Sequence, residues 1–76
     1  MSNRVVTSIE NQTGDRCVDI FVRADDTFGF EEYRRDYEDA SGWFPLNYYS
    51  QLVFDTEEDA LAQAKSRVAW MVVDSG

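Results

Sequence analysis

Histidine is missing from this chain, cysteine and proline occur once each, and glycine only four times. Without histidine the chain lacks both the commonest general base and the commonest transition-metal ligand. A lone Cys17 excludes an internal disulfide and suits a reducing compartment. Arg16 beside it is offset by Asp15 and Asp19, so the thiol reads as a half-buried strand residue and not as a nucleophile. Ser8, Ser41, Ser50, Ser66 and Ser75 lie in no nucleophile motif, and no glycine-rich loop is built to cradle phosphate. Cations are scarce as well: 7 Lys and Arg stand against 15 Asp and Glu, a net charge of −8. Such a surface repels phosphate backbones, whose neutralisation supplies much of nucleic-acid affinity. Long apolar runs are also lacking; no segment approaches the ~18 residues of a membrane span, and the first residues hold no signal-peptide core. The expectation is a cytoplasmic protein with no membrane segment.

What is present argues for one folded domain over residues 1–76. A hydrophobic fraction of 43%, with 14% aromatic, is too high for a disordered chain despite the charge. A chain this short buries only about 60% of its unfolded surface, so dimerisation would be a natural source of further burial.

The run from Leu52 to Leu61 marks where strand periodicity gives way to a helix. Thr56, with Asp59 three residues on, is a weak capping box, and Glu57, Glu58 and Asp59 meet the positive end of the helix dipole. The helix is predicted over 57–70, with Leu61, Ala64, Val68 and Met71 as its core stripe and Trp70 outside it. Residues 16–23 alternate cleanly: Val18, Ile20 and Val22 on one face, Cys17, Asp19, Phe21 and Arg23 on the other. A hairpin connection at 24–27 leads to a second strand over 28–35, with a bulge near Glu31-Glu32 that would return Tyr33 to the side of Phe30. A third strand falls within 43–54. Pro45 keeps it from being central and uninterrupted, so its regular part is placed from Tyr48 through Ser50, Leu52 and Phe54. Residues 1–15 form either a loose arm or an extra strand around Val5, Val6 and Ile9. The fold class is therefore α+β: an antiparallel meander of three strands, or four, with one C-terminal helix on one face.

Three groups of residues carry a further impression: Val18-Asp19-Ile20-Phe21-Val22-Arg23, then Thr27-Phe28-Gly29-Phe30-Glu31-Glu32-Tyr33-Arg34-Arg35-Asp36, then Gly42-Trp43-Phe44-Pro45 with Phe54-Asp55-Thr56-Glu57-Glu58-Asp59-Ala60. Together they resemble a group of small bacterial proteins, a resemblance that implies the same meander and helix and no activity. The strand-strand-strand-helix order is also similar to integrase arm-type DNA-binding domains, whose sheet enters the major groove with Arg and Lys. Here Arg23, Arg34 and Arg35 stand amid carboxylates, so the layout matches and the charge does not.

No catalytic, cofactor or metal site is assigned. Glu31 and Glu32 could form an acid pair, but cross-strand pairing with arginine accounts for them better. The stretch 36–42 is similar to a calcium loop with its glycine one position late and Asn47 where a bidentate Glu belongs. The cluster richest in interaction-prone residues is aromatic: Tyr33, Tyr37, Trp43, Phe44, Tyr48 and Tyr49, with Arg34 and Arg35 nearby; Phe21 and Trp70 are further candidates for protein binding. Either these rings complete the core, or they form a sheet face that binds a protein or a second copy. The function expected is a non-catalytic protein-binding or self-associating module, with a protein partner or a homodimer and no small molecule. The alternatives are an acidic nucleic-acid mimic that inhibits a basic protein, and a small nucleic-acid-binding domain using the aromatic and arginine face, which the charge disfavours.

Overall fold

The computed structural model describes residues 3–36, 38 and 42–71. Four strands, β1 (Arg4–Glu10), β2 (Arg16–Val22), β3 (Phe28–Arg35) and β4 (Trp43–Pro45), form one antiparallel sheet in sequence order, followed by the helix α1 (Glu57–Arg67). No helix among the described residues is long and apolar enough to cross a membrane.

Alternation in β2 decides which face becomes the core. Val18 and Ile20 are fully buried, and with Phe30 of β3 they meet Ala60, Ala64, Val68 and Met71. Thr56 starts α1 as expected: its Oγ1 accepts the Asp59 N–H at 3.0 Å, and three carboxylates fill the first turn. The Val68 N–H closes the last turn on Ala64 O, after which the chain continues as a 3-10 turn over Ala69–Met71. The helix is therefore shorter than the predicted 57–70. Ala64, Val68 and Met71 of the predicted stripe are buried, but Ala60 and not Leu61 is sealed against the sheet, with Leu61 packed on the flank.

Residues 4–10 are a strand, so the meander has four members. The expected bulge at Glu31-Glu32 is not there: β2 and β3 pair without a break from Arg16↔Arg34 to Val22↔Phe28, which leaves Tyr33 opposite Cys17, away from Phe30. The sheet's bulge lies instead in β1, between Val5 and Thr7. The strand predicted from Tyr48 to Phe54 is not formed either. Pairing with β3 is confined to Trp43–Pro45 and to one bridge between Phe28 and Phe54. From Tyr33 to Phe28 is five steps along β3, while from Pro45 to Phe54 is nine steps along the outer chain. Four residues too many must leave the ladder, so the segment between becomes a loop that Asn47 opens in the left-handed conformation, at φ 62°. Pro45 closes β4 at the sheet edge, where its missing N–H breaks no ladder. The expected calcium-like loop, and Tyr37 with it, fall largely outside the described residues.

Candidate binding surface

The loop 46–53 is held by two charged side chains. Glu31 is only 2% exposed. Its carboxylate accepts the backbone N–H of Tyr48 (3.2 Å), Tyr49 (3.1 Å), Ser50 (2.9 Å) and its own neighbour Glu32 (2.9 Å). Arg23 takes the carbonyls: Nη2 donates to Ser50 O at 2.8 Å and Leu52 O at 3.0 Å, and Nη1 donates to Phe28 O at 3.0 Å. Backbone groups left unpaired by the interrupted ladder are thus satisfied by a carboxylate and a guanidinium, as buried polar groups require. Neither residue is then available to a ligand. Glu32, also buried, receives the Trp70 indole Nε1–H at 2.8 Å and faces Arg16 at 3.4 Å. The two adjacent glutamates therefore have separate structural partners, and they do not form an acid pair.

The sheet face opposite α1 is where the interaction-prone rings were expected to gather. Phe21 lies on this face but is 6% exposed: it sits over Gly29 of β3, and the Arg23 guanidinium carbon lies 4.9 Å from its ring centroid. A Cβ at Gly29 would fall 2.6 Å from Arg23 Nη2 and 2.9 Å from Phe21 Cζ, so only glycine lets both side chains cross β3 here. Tyr33, Arg35 and Trp43 share this face, half-buried, and Arg35 stacks on the Trp43 ring at 4.6 Å. The other expected residues go elsewhere. Arg34 stands exposed on the helix side opposite Arg16 and Phe44. Tyr49 stacks on Phe30 at a centroid distance of 5.0 Å and belongs to the core, while Tyr48 projects from the loop, 70% exposed. Trp70 caps Glu32. These residues do not form one platform.

Chemistry at Cys17 is muted. Burial, followed by the nearby Asp19 carboxylate, pushes its thiol up to about 11, so it carries no thiolate near neutrality. Among the described residues no group of three or more Cys, Asp or Glu side chains is arranged to hold a metal ion. A groove of about 610 Å³ runs between the β1–β2 turn and the end of α1, lined by Ile9, Trp70 and Met71 together with Glu10 and Lys65.

Among the described residues the edge of the sheet that stays open is the one at β1, a segment whose sequence fits an arm or a strand. The Asn11 N–H donates to Arg16 O at 3.0 Å. Antiparallel alternation then turns the backbone groups of Ile9 and Thr7 toward Val18 and Ile20, and those of Ser8 and Glu10 outward, away from β2. No described strand pairs with that outer edge. Beside it Val5 is 52% and Val6 36% exposed. The opposite edge of the sheet is shielded by β4 and the clamped loop. Comparison with family models, with curated proteins and with solved structures finds no match.

Proposed function

We propose that this chain is a non-catalytic module that binds an extended polypeptide segment by adding it to the sheet beside β1. The observation that carries the reading is the outward-facing backbone of Ser8 and Glu10 on an unpaired edge strand, next to two exposed valines. A row of free N–H and C=O groups is a template for another strand, and main-chain pairing of this kind gives affinity while alternate side chains give specificity. The rigid side of the sheet supports the same reading. Glu31 and Arg23 are spent on the loop and Phe21 is covered, so these three residues are not offered to a ligand on the open face. The high pKa of Cys17 and the separate structural roles of Glu31 and Glu32 support a role without catalysis. A buried, unpaired Cys17 fits a reducing compartment such as the cytoplasm.

Selection from a random peptide library tests the reading, with Ser8→Pro as the counter-target. Proline at Ser8 removes one outward N–H and is tolerated on an edge strand. The expected outcome is a set of extended, β-prone peptides that bind the natural chain and not the variant, whose circular dichroism stays native. Binders that ignore Ser8→Pro, or that are enriched in helical or proline-rich segments, would contradict it.

A further inference from the structure

We propose that the segment accepted at β1 is basic, with lysine or arginine at every second position. This rests on the edge-binding reading above and adds the chemistry of the partner. The bulge between Val5 and Thr7 interrupts the ladder, which leaves residues 7–10 as the regular stretch available for pairing. Carboxylates surround that stretch on both faces. Glu57 accepts the Thr7 hydroxyl at 2.7 Å on the helix side; on the open face Asp19 accepts the Ser8 hydroxyl at 2.7 Å, and Glu10 stands exposed on β1 itself. Among the described residues the cations nearby are Arg4, beyond the bulge, Lys65, which lines the same groove as Glu10, and Arg16, one strand in and turned to Glu32.

Ser8 and Glu10 are two residues apart and so share the open face, as their partners Asp19 and Cys17 confirm. Residues of an added strand that lie opposite Ser8 and Glu10 project on that same face, beside the Glu10 carboxylate, with Asp19 one strand further in behind Ser8. Cations at alternate positions of the incoming segment therefore meet Glu10 directly and reach toward Asp19 across Ser8. The net charge of −8 acts in the same direction: it draws a basic segment in and repels a second copy of this chain.

The test uses four capped, dye-labelled heptapeptides and fluorescence anisotropy with the full chain. Three alternate valine with lysine, threonine or glutamate; the fourth, a lysine–proline peptide of Lys-Pro-Pro repeats with the same number of lysines, is held as a polyproline helix and presents no row of N–H groups along one edge. The lysine–valine peptide is expected to bind at least about tenfold more tightly than the threonine–valine peptide, to weaken steeply with salt, and to lose binding to Ser8→Pro. The glutamate–valine and lysine–proline peptides are expected not to bind. Equal affinity for the lysine and threonine peptides would overturn the basic partner while leaving strand addition intact. Equal affinity for the lysine–proline peptide would mean charge attraction without pairing, and would overturn both, as would an absence of binding by all four. Glu10→Lys serves as the second variant: a several-fold loss for the lysine peptide and a gain for the glutamate peptide are expected, and no change in either would overturn the proposal.

Discussion

Arg23 and Glu31 grip the same residue, Ser50, through opposite halves of its backbone: Glu31 accepts its N–H at 2.9 Å and Arg23 donates to its carbonyl at 2.8 Å. The two side chains do what a fourth full-length strand would otherwise do for the edge of β3. The consequence, among the described residues, is a sheet sealed at one edge and open at the other.

Glu31→Ala strips the acceptor from four backbone N–H groups at once. Hydrogen bonds to a charged acceptor are worth about 1.5–3 kcal/mol each when the donors stay buried, though loop relaxation lets water reach some of them. A net loss of about 3 kcal/mol in urea unfolding is expected, with a smaller loss for Glu31→Gln, which keeps one oxygen. A loss below about 1 kcal/mol would mean that the loop does not depend on the clamp.

Gly29→Ala tests the crossing of Phe21 and Arg23 over β3. A methyl 2.6 Å from Arg23 Nη2 must displace the guanidinium, and overpacking of this kind costs about 1–3 kcal/mol. Because the clash is shared with Arg23, the double variant Gly29→Ala, Arg23→Ala should be less destabilised than the two single effects added together. Strict additivity in a double-mutant cycle would contradict the geometry.

Along α1, Ala64→Leu should cost more than Leu61→Ala. Ala64 is fully buried between helix and sheet, where added bulk forces the layers apart, about 1–3 kcal/mol. Leu61 flanks the core half-exposed, and its truncation should cost about 1 kcal/mol, below the range for sealed leucines. Thermal unfolding of the two variants decides the order.

Cys17 gives the chain an alkaline limit. Its thiol is raised from 9.0 to about 11 in the folded state, so the folded chain holds that proton more tightly than the unfolded chain. The resulting stabilisation is complete below about pH 9 and is lost as pH rises through about 11. Stability should fall across this window in the natural chain and fall less in Cys17→Ala. Native-state labelling by a thiol reagent at pH 8 should be slow and should accelerate on unfolding.

The parts of the fold governed by local pattern were legible in the sequence. Val18 and Ile20 announced β2 and the face that meets α1, and Thr56 with three following carboxylates announced the start of α1. Val22 on the same face of β2 stays outside the core, however, and Cys17 and Phe21 on the other face are buried as well. The parts governed by pairing across the chain were not. Tyr48, Ser50 and Leu52 alternate like a strand, yet four surplus residues between two fixed pairings expel them from the ladder. No spacing rule reveals that Glu31 and Arg23 will satisfy the loop so produced. Of the predicted helix stripe Ala64, Val68 and Met71 are buried, while Ala60 takes the place of Leu61 because alanine fits a tight helix–sheet contact better than the larger leucine. For the candidate surface, Val5 and Val6 were visible as an apolar pair, but the direction of the Ser8 and Glu10 backbone groups follows only from the β1–β2 register.

Amide hydrogen exchange along β1 tests the central claim most directly, because it reads the edge itself. In the free chain the account predicts alternation: slow exchange at Thr7, Ile9 and Asn11, whose N–H groups face β2, and fast exchange at Ser8 and Glu10. Saturation with the lysine–valine peptide should slow Ser8 and Glu10 and leave the other three nearly unchanged. Protection of Ser8 and Glu10 already present in the free chain, or their continued fast exchange in the saturated complex, would contradict it.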